Sequence, residues 1–486
     1  MKTNEIINPH LPLTLPRTTS DASVQLLYAE QCAKDRQLAG NSGVLYHWEY
    51  DHWKALSDVT AQATAFDWLS KFDRNRATPA VALSCVESAK MMVRQLPASP
   101  DQQSTIIPLH DRWLFVDQKG AITAIDPDSG VAICHRVACN KSIPLGPYTP
   151  QQLKPGSLFA QFLDSSLPNK EVQEFVQEYI GYTLTGTTKL QVGTLWVGAG
   201  SNGKSLLLNV VCALHEQSVA VRLDKLAGFD LAVLVGASLA FCDETPKSKI
   251  NQQALKSLIS GGAVQVEPKY GKPFKYRPTA KFIICSNHLP SATDHSDGWW
   301  RRLHIVEWNQ QIKGPKVIYD LDQKIIQTEL DAVLDWALLG LQRLLARKAF
   351  AVPQVMAHAK QDAIQSSNTV ISWTQDAGVA LSKLPSQMVS KADLYERYRD
   401  YCQQHGFIHA GNAEFFKRIK TIFPLAKEER VVLTVNGVKE RVRRLGLMLG
   451  DFQSLPAEED PQKDLNSILM ANIPTANEDF DPFKYR

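Results

Sequence analysis

One stretch constrains this chain more than any other: Gly198-Ala199-Gly200-Ser201-Asn202-Gly203-Lys204-Ser205. It matches GxxxxGK[ST] in full, follows the apolar run Thr194–Val197 and opens the apolar helical pattern Ser205–Leu214. Strand, glycine loop and helix in that order let backbone N–H groups curl around phosphates, and the helix N-terminus adds a partial positive charge. Lys204 is placed to reach β- and γ-phosphates, and Ser205 to offer a hydroxyl to Mg²⁺. ATP and Mg²⁺ are therefore the expected cofactors. A chance match in a glycine-rich turn is the bland alternative, and the flanking strand and helix argue against it.

The surroundings predict an α/β fold. Thr194–Gly198, Val219–Leu223, Ser238–Cys242, Lys281–Cys285 and Leu303–Val306 read as short apolar strands alternating with helices and turns. That pattern suits a parallel sheet covered on both faces. The run Leu239–Cys242 ends in Asp243 and Glu244, 39 residues after Lys204. Asp243 is expected on Mg²⁺, and Glu244 is expected to polarise the attacking water. Phe282–Ser286 ends in Asn287, which fits a residue that holds this water or senses the γ-phosphate. Gly298-Trp299-Trp300-Arg301-Arg302 precedes the last strand, and an arginine here can meet a phosphate held by a neighbouring subunit.

Outside this span, residues 1–22 read as a flexible leader. Residues 23–150 are mixed α and β, with hairpins at 45–54 and 113–125 and helix across 63–95. A connector rich in proline follows (Pro144, Pro147, Pro150, Pro155), then a helix over Asn169–Leu184 with Val172, Phe175, Val176, Tyr179 and Ile180 on one face. Val317–Ala346 reads as one packed helix or a pair. Residues 370–450 form a separable unit: helix Ala392–His405, helix Asn412–Phe423 capped by Asn412, and a hairpin turning at Asn436-Gly437. Helices followed by a basic hairpin suggest a winged helix, with Lys417, Arg418 and Lys420 on the second helix and Lys439, Arg441, Arg443 and Arg444 on the hairpin. The tail 451–486 carries eight acidic and three basic residues and is expected to be flexible.

Composition excludes little else. Net charge is +3 from 53 basic and 50 acidic residues, so DNA binding has to be argued from local patches. The eight cysteines form no CxxC pair, which points away from a zinc ribbon or disulfide scaffold. No apolar run is long enough to span a bilayer and the first residues lack a signal-peptide core, so a cytoplasmic location without membrane partners is expected.

The ordered set GAGSNGKS, LAFCDE, LKSLISGG, VEPKYGKPFKYRP, FIICSN and GWWRRL, all within 198–303, resembles the superfamily 3 helicases of viruses, phages and plasmids. The likeness is to the helicase part of satellite-phage and poxvirus-type primase–helicases. It covers roughly 150–450. It implies an AAA+-type α/β core with a parallel sheet, an N-terminal α+β region and a C-terminal winged helix. The matching domains are 23–155 (collar, partner-docking or origin-binding), 156–192 (helical lead-in or oligomerisation segment), 193–350 (helicase/ATPase) and 370–450 (winged helix). The same resemblance implies a homohexameric ring with ATP bound between subunits and 3'-5' translocation. Arg302 matches the family's arginine finger better than Arg301, and Lys256 matches a basic position acting at the same interface. Val266–Tyr276 matches a hairpin that projects into the ring channel, which puts Lys269, Tyr270 and Lys272 on single-stranded DNA. Two lysines without base specificity suit a motor that steps along any sequence.

Many such proteins carry a primase upstream. Asp126, Asp128 and His135 superficially offer its metal site, but Asp126-Pro127-Asp128-Ser129-Gly130 reads as a turn. The leading expectation is thus an ATP-dependent ring-shaped DNA helicase for replication of a mobile element, working with a separate primase or host replication protein. The alternatives are an origin-binding initiator ATPase that melts or marks duplex DNA, and an AAA+-like machine acting on protein.

Overall fold

The apolar runs pair as a five-stranded parallel sheet. The computed structural model describes residues 23–99, 105–244, 250–267, 273–287, 297–312, 318–367, 369–384, 386–405, 409–435 and 438–450. Across the sheet the strands lie in the order Leu303–Glu307, Gly193–Val197, Lys281–Ser286, Leu239–Cys242, Ser218–Ala220. Lys281–Ser286 is buried along its whole length and Gly193–Val197 is nearly so. Continuous rather than alternating burial is what a parallel strand with both faces covered requires. The strand expected at Val219–Leu223 is only Ser218–Ala220. The Val221 N–H still donates to the Phe241 carbonyl at 2.8 Å, and the chain then turns, with the Lys225 N–H donating to the Arg222 carbonyl at 3.1 Å.

Helices Lys204–Ala213, Lys170–Thr183 and Leu321–Arg347 share one core with the sheet. All five residues expected on the apolar face of the second of these are buried. This helix lies directly on Leu321–Arg347, a single long helix. A Cβ on Gly181 would come within 2.3 Å of the Ala337 carbonyl oxygen, and one on Gly340 within 2.5 Å of the Gln177 backbone. Reciprocal glycines therefore set the helix separation.

The N-terminal region has two parts. Helices Val24–Lys34, Asp58–Phe72 and Pro79–Met92, capped by Ser23, Ser57 and Thr78, enclose their own core of Tyr28, Trp68, Leu69 and Val86. The antiparallel strands Leu38–Asn41, Val44–Trp48 and Trp53–Ala55 accompany them. The second sheet (Thr105–Pro108, Trp113–Val116, Ile122–Ile125, Gly146–Tyr148) instead joins the central core through Ile107, Leu114 and Val116. The core thus runs across the boundary expected at 155/156. The last of these strands lies in the Pro-rich connector, at the sheet edge, where Pro147 costs no ladder hydrogen bond. Buried Asp335 on the long helix accepts hydrogen bonds from the Tyr148 hydroxyl, the Lys141 ammonium and, at 3.1 Å, the Gln151 backbone N–H. A second polar tie reaches Glu216, just past helix Lys204–Ala213. Its carboxylate meets His52 at 3.2 Å, Arg136 at 3.0 Å and Lys54 at 3.3 Å. Glu49, His52 and Glu216 also cluster closely enough to hold a cation, but Lys54 and Arg136 already neutralise the two carboxylates.

The chain divides into two compact units, 1–359 and 360–486. In the second, helices Thr369–Asp376, Lys391–Gln404 and Asn412–Ile422 close on Trp373, Tyr398, Phe415 and Leu447. The hairpin pairs Glu428–Val435 with Val438–Leu445. Asn412 is not the helix cap expected of it. Gly411 adopts the extended cap conformation, and Asn412 becomes the first helical residue. The leader 1–22, the turn 436–437 and the tail 451–486 lie outside the described residues.

Candidate nucleotide-binding site

The loop Gly198–Gly203 is bolted on both sides before its lysine is placed. The Gly198 N–H donates to the Ser286 carbonyl at 3.1 Å, continuing the register Val197 with Ser286. The Asn202 side-chain amide donates to the Trp308 carbonyl at 2.9 Å, tying the loop to the segment after the last strand. Gly203 has φ +91° and caps helix Lys204–Ala213 with no side-chain hydrogen bond, so the first-turn N–H groups have no side-chain acceptor there. A Cβ at this position would lie 2.7 Å from both the Phe162 ring and the Ser166 hydroxyl. Lys204 is buried, with Nζ donating to the Gly198 carbonyl at 2.6 Å and to Asn202 Oδ1 at 2.9 Å. Burial pulls the Lys204 pKa down, and nearby Asp243 opposes that pull.

The strand ends bring the remaining groups to the same edge. Ser205 Oγ donates to Asp243 Oδ1 at 2.9 Å. Asp243 and Glu244 are exposed just beyond strand Leu239–Cys242, and Asn287 is exposed just beyond Lys281–Ser286. Those two strands are neighbours, and the second of them borders the strand that feeds the loop. Ala199, Gly200 and Ser201 complete the turn, with φ of +93° at Gly200 and +50° at Ser201.

Arg302 and Lys256 lie elsewhere. Leu303 pairs with Gly193, so Arg302 stands at the amino end of its strand, opposite the edge that bears the loop. Its guanidinium donates to Ser260 Oγ at 2.7 Å, the Gly298 carbonyl at 2.6 Å and Gln191 Oε1 at 3.2 Å. Ser260 Oγ in turn donates to the Lys256 carbonyl at 2.8 Å, which places Lys256 in the same neighbourhood. The expected channel hairpin is present at its base, Val264–Val266 with Phe274–Tyr276; Lys269, Tyr270 and Lys272 lie outside the described residues.

A pocket of about 130 Å³ opens beside the loop and was not anticipated. Ser166, Pro168, Val172, Ile305, Asn309 and Met356 line it. No single motif encodes it, because three segments distant in sequence form its walls.

In the second unit, register sorts the hairpin charges by face. Arg430 pairs with Arg443 and Val432 with Arg441, and all four residues are exposed on one face. Val431 and Val442 occupy the other face, Val431 buried and Val442 half-buried. Arginines directly opposite one another repel. Arg444 points to Asp393 instead, at 3.5 Å. On helix Asn412–Ile422, Lys417 and Lys420 are exposed, whereas Arg418 pairs with Glu414 at 3.0 Å.

The residues weighed as primase ligands have structural roles. Asp128 Oδ1 accepts from the Gly130 N–H at 2.8 Å, making the turn read from the sequence. His135 is buried 3.1 Å from the Leu184 carbonyl, and burial together with Lys281 lowers its pKa to about 3.

Comparison with known proteins bears on both units. Residues 196–302 match a family described as "Family of unknown function (DUF5906)", and residues 369–438 match the RFX DNA-binding domain. A protein of Acanthamoeba polyphaga mimivirus with a provisional helicase name is 22% identical over 321 residues, 60% of this chain and 33% of the relative. A protein of African swine fever virus with a provisional primase name is 25% identical over 175 residues, 33% of this chain and 18% of the relative. The matches thus span about a third and less than a fifth of these relatives' lengths. Two apo structures of the NrS-1 C-terminal region align with this chain at TM-scores of 0.48 and 0.46 and at 13% and 14% identity. They cover 85% and 88% of this chain and 96% and 100% of the solved chains. With its five-stranded parallel sheet and many helices, the chain is a mixed α/β protein, and its sequence is similar to viral helicase- and primase-named proteins.

Proposed function

We propose that this chain is an ATP-driven DNA helicase of the superfamily 3 type, assembled as a ring and acting in replication of a mobile element. One observation carries the reading: the GAGSNGKS loop, Asp243-Glu244 and Asn287 converge at the carboxyl edge of three adjoining parallel strands, with Ser205 and Asp243 in contact at 2.9 Å. Ligands of open α/β sheets bind outside the carboxyl ends of the strands. The residues suit both cofactors. A hydroxyl and a carboxylate side by side are the hard oxygen donors Mg²⁺ prefers. The side-chain-free helix start suits an anion. When bound, Mg·ATP supplies the scissile phosphoanhydride and the charge that the metal offsets.

The chain's own groups would then act as follows. Lys204 exchanges its bonds to Gly198 and Asn202 for phosphate oxygens. Ser205 and Asp243 hold the metal, Glu244 orients and deprotonates water, and Asn287 fixes that water's position. The pocket between Pro168 and Met356 takes the nucleoside end. A basic residue at the opposite edge, in the neighbourhood of Lys256 and Arg302, completes the site of a neighbouring copy. Lys269, Tyr270 and Lys272 line the DNA path. A primase reading finds no support in Asp128 or His135, whose side chains are committed to a turn and a buried backbone contact.

The decisive assay is ATP-dependent unwinding of a forked duplex by the full chain. Strand separation that requires hydrolysable ATP supports the helicase. Hydrolysis with duplex binding but no separation supports the origin-binding initiator, a reading favoured by the RFX-type match at 369–438.

In either case the second unit is read as a winged helix that binds duplex through its hairpin. Changing Arg430, Arg441 and Arg443 together to glutamine should weaken duplex binding. It should also reduce the slope of log K against log salt by up to about 0.9 per lost phosphate contact. Binding titrations at several salt concentrations check this, and an unchanged slope would remove the hairpin from the DNA interface.

A further inference from the structure

Two adjacent arginines precede the last strand, and only one is available. The Arg302 guanidinium is half-buried and spends all three nitrogens within its own chain, on Ser260 Oγ, the Gly298 carbonyl and Gln191 Oε1. Ser260 is anchored in turn to the Lys256 carbonyl and to Gln191 Oε1 at 3.4 Å. The Arg302 backbone is equally committed: its N–H donates to the Trp299 carbonyl at 3.1 Å and its carbonyl accepts from Gly193 at 2.8 Å. Drawing this side chain out would leave Ser260, Gln191 and the Gly298 carbonyl short of a donor in a half-buried site.

Arg301 differs in each respect. It is exposed, and among the described residues no acceptor lies within hydrogen-bond reach of its guanidinium. Its backbone is held firmly all the same, because Trp299 and Trp300 just before it are 2% and 7% exposed. The result is a free cation on a rigid mount at the end of an edge strand.

We propose that Arg301, not Arg302, is the arginine that meets the nucleotide of a second copy of this chain, and that Arg302 is the clamp that holds the turn presenting it. This rests on the nucleotide-site reading above. Intrachain action is ruled out by position. Leu303–Glu307 runs alongside Gly193–Val197 in register, so the strand alone, five residues at about 3.3 Å each, separates its amino end, where Arg301 lies, from the loop edge by roughly 16 Å, beyond an arginine's reach. The phosphate it neutralises therefore belongs to another subunit. The developing negative charge there is what a planar, always-charged guanidinium can stabilise.

The test uses the full chain and reads ATP turnover, ATP affinity and melting temperature. Arg301→Ala is expected to lower kcat by about 10³-fold or more. Its melting temperature and ATP affinity should stay at wild-type values. Mixing it with Glu244→Gln should restore part of the activity, since some interfaces then combine an intact arginine with an intact carboxylate. Arg302→Ala is expected to lower the melting temperature by several degrees along with the rate, and Arg302→Lys to recover part of both. An Arg301→Ala protein within threefold of the wild-type rate overturns the assignment. So does an Arg302→Ala protein that is inactive at an unchanged melting temperature and is not rescued by lysine. Should Arg301→Ala fail to fold, Arg301→Gln is judged by the same criterion. Lys204→Ala run in parallel separates the two levels: turnover indifferent to Lys204 sinks the site reading itself, whereas Lys204-dependent turnover indifferent to Arg301 sinks only the finger.

Discussion

Lys204→Ala should reduce ATP turnover by about 10²–10³-fold or more, the typical cost of removing one preorganised charge from a developing transition state. Lys204 is the first residue of helix Lys204–Ala213, buried against the loop, and its ammonium sits between the Gly198 carbonyl and Asn202 Oδ1. Burial already makes the charged form costly there, which is the state in which a phosphate partner is worth most. ATP affinity should fall as well, because on the proposed reading the same ammonium would contact ground-state phosphates. Loss of the lysine leaves two acceptors without this donor, but Asn202 keeps its bond to Trp308, so the loop should hold its shape. Phosphate release and calorimetric ATP binding check both effects. A variant with wild-type turnover would mean that the chemistry lies elsewhere in the chain.

Glu244→Gln should be comparably damaging to turnover by a different route. General-base assistance contributes about 10²–10⁴-fold, and glutamine keeps the shape while losing the basicity. Glu244 is exposed just beyond strand Leu239–Cys242 and one residue past Asp243, whose carboxylate is already engaged by Ser205. That division leaves Glu244 as the carboxylate open to water. ATP affinity should therefore remain close to wild type. Single-turnover hydrolysis together with equilibrium ATP binding distinguishes this from Lys204→Ala. Turnover at the wild-type rate would shift the base role to another group, and loss of binding would show that Glu244 holds the metal instead.

Much of this was legible because it is local. The glycine loop, its strand and its helix are contiguous, and each strand that delivers a polar residue is an apolar run ending in that residue. The hairpins at Val44–Ala55, Trp113–Ile125 and Glu428–Leu445 follow from alternation and turn residues, and the buried face of Lys170–Thr183 from helical spacing. Other features were hidden because their determinants lie far apart. The strand at Gly146–Tyr148 is carried by an edge position that tolerates proline. The pocket beside the loop needs residues near 168, 305 and 356 brought together. The sequence match favoured Arg302 for the role that we propose for Arg301.

By itself, then, the chain's order of residues determined the chemistry on offer: a glycine-rich loop of the GxxxxGK[ST] pattern, two carboxylates and an asparagine at strand ends, a pair of arginines, and a basic hairpin. Spacing of side chains along a strand or helix is a property of the backbone and can be read without folding. Only the tertiary structure decided which of these groups meet, because contact depends on strand order and burial. The order that sets Lys281–Ser286 between the loop strand and Leu239–Cys242 brings Ser205 to Asp243. The packing that gives Arg302 three acceptors at 2.6, 2.7 and 3.2 Å leaves Arg301 facing outward. Two identical side chains one residue apart differ only in what surrounds them, and that is fixed by residues as distant as Gln191 and Ser260.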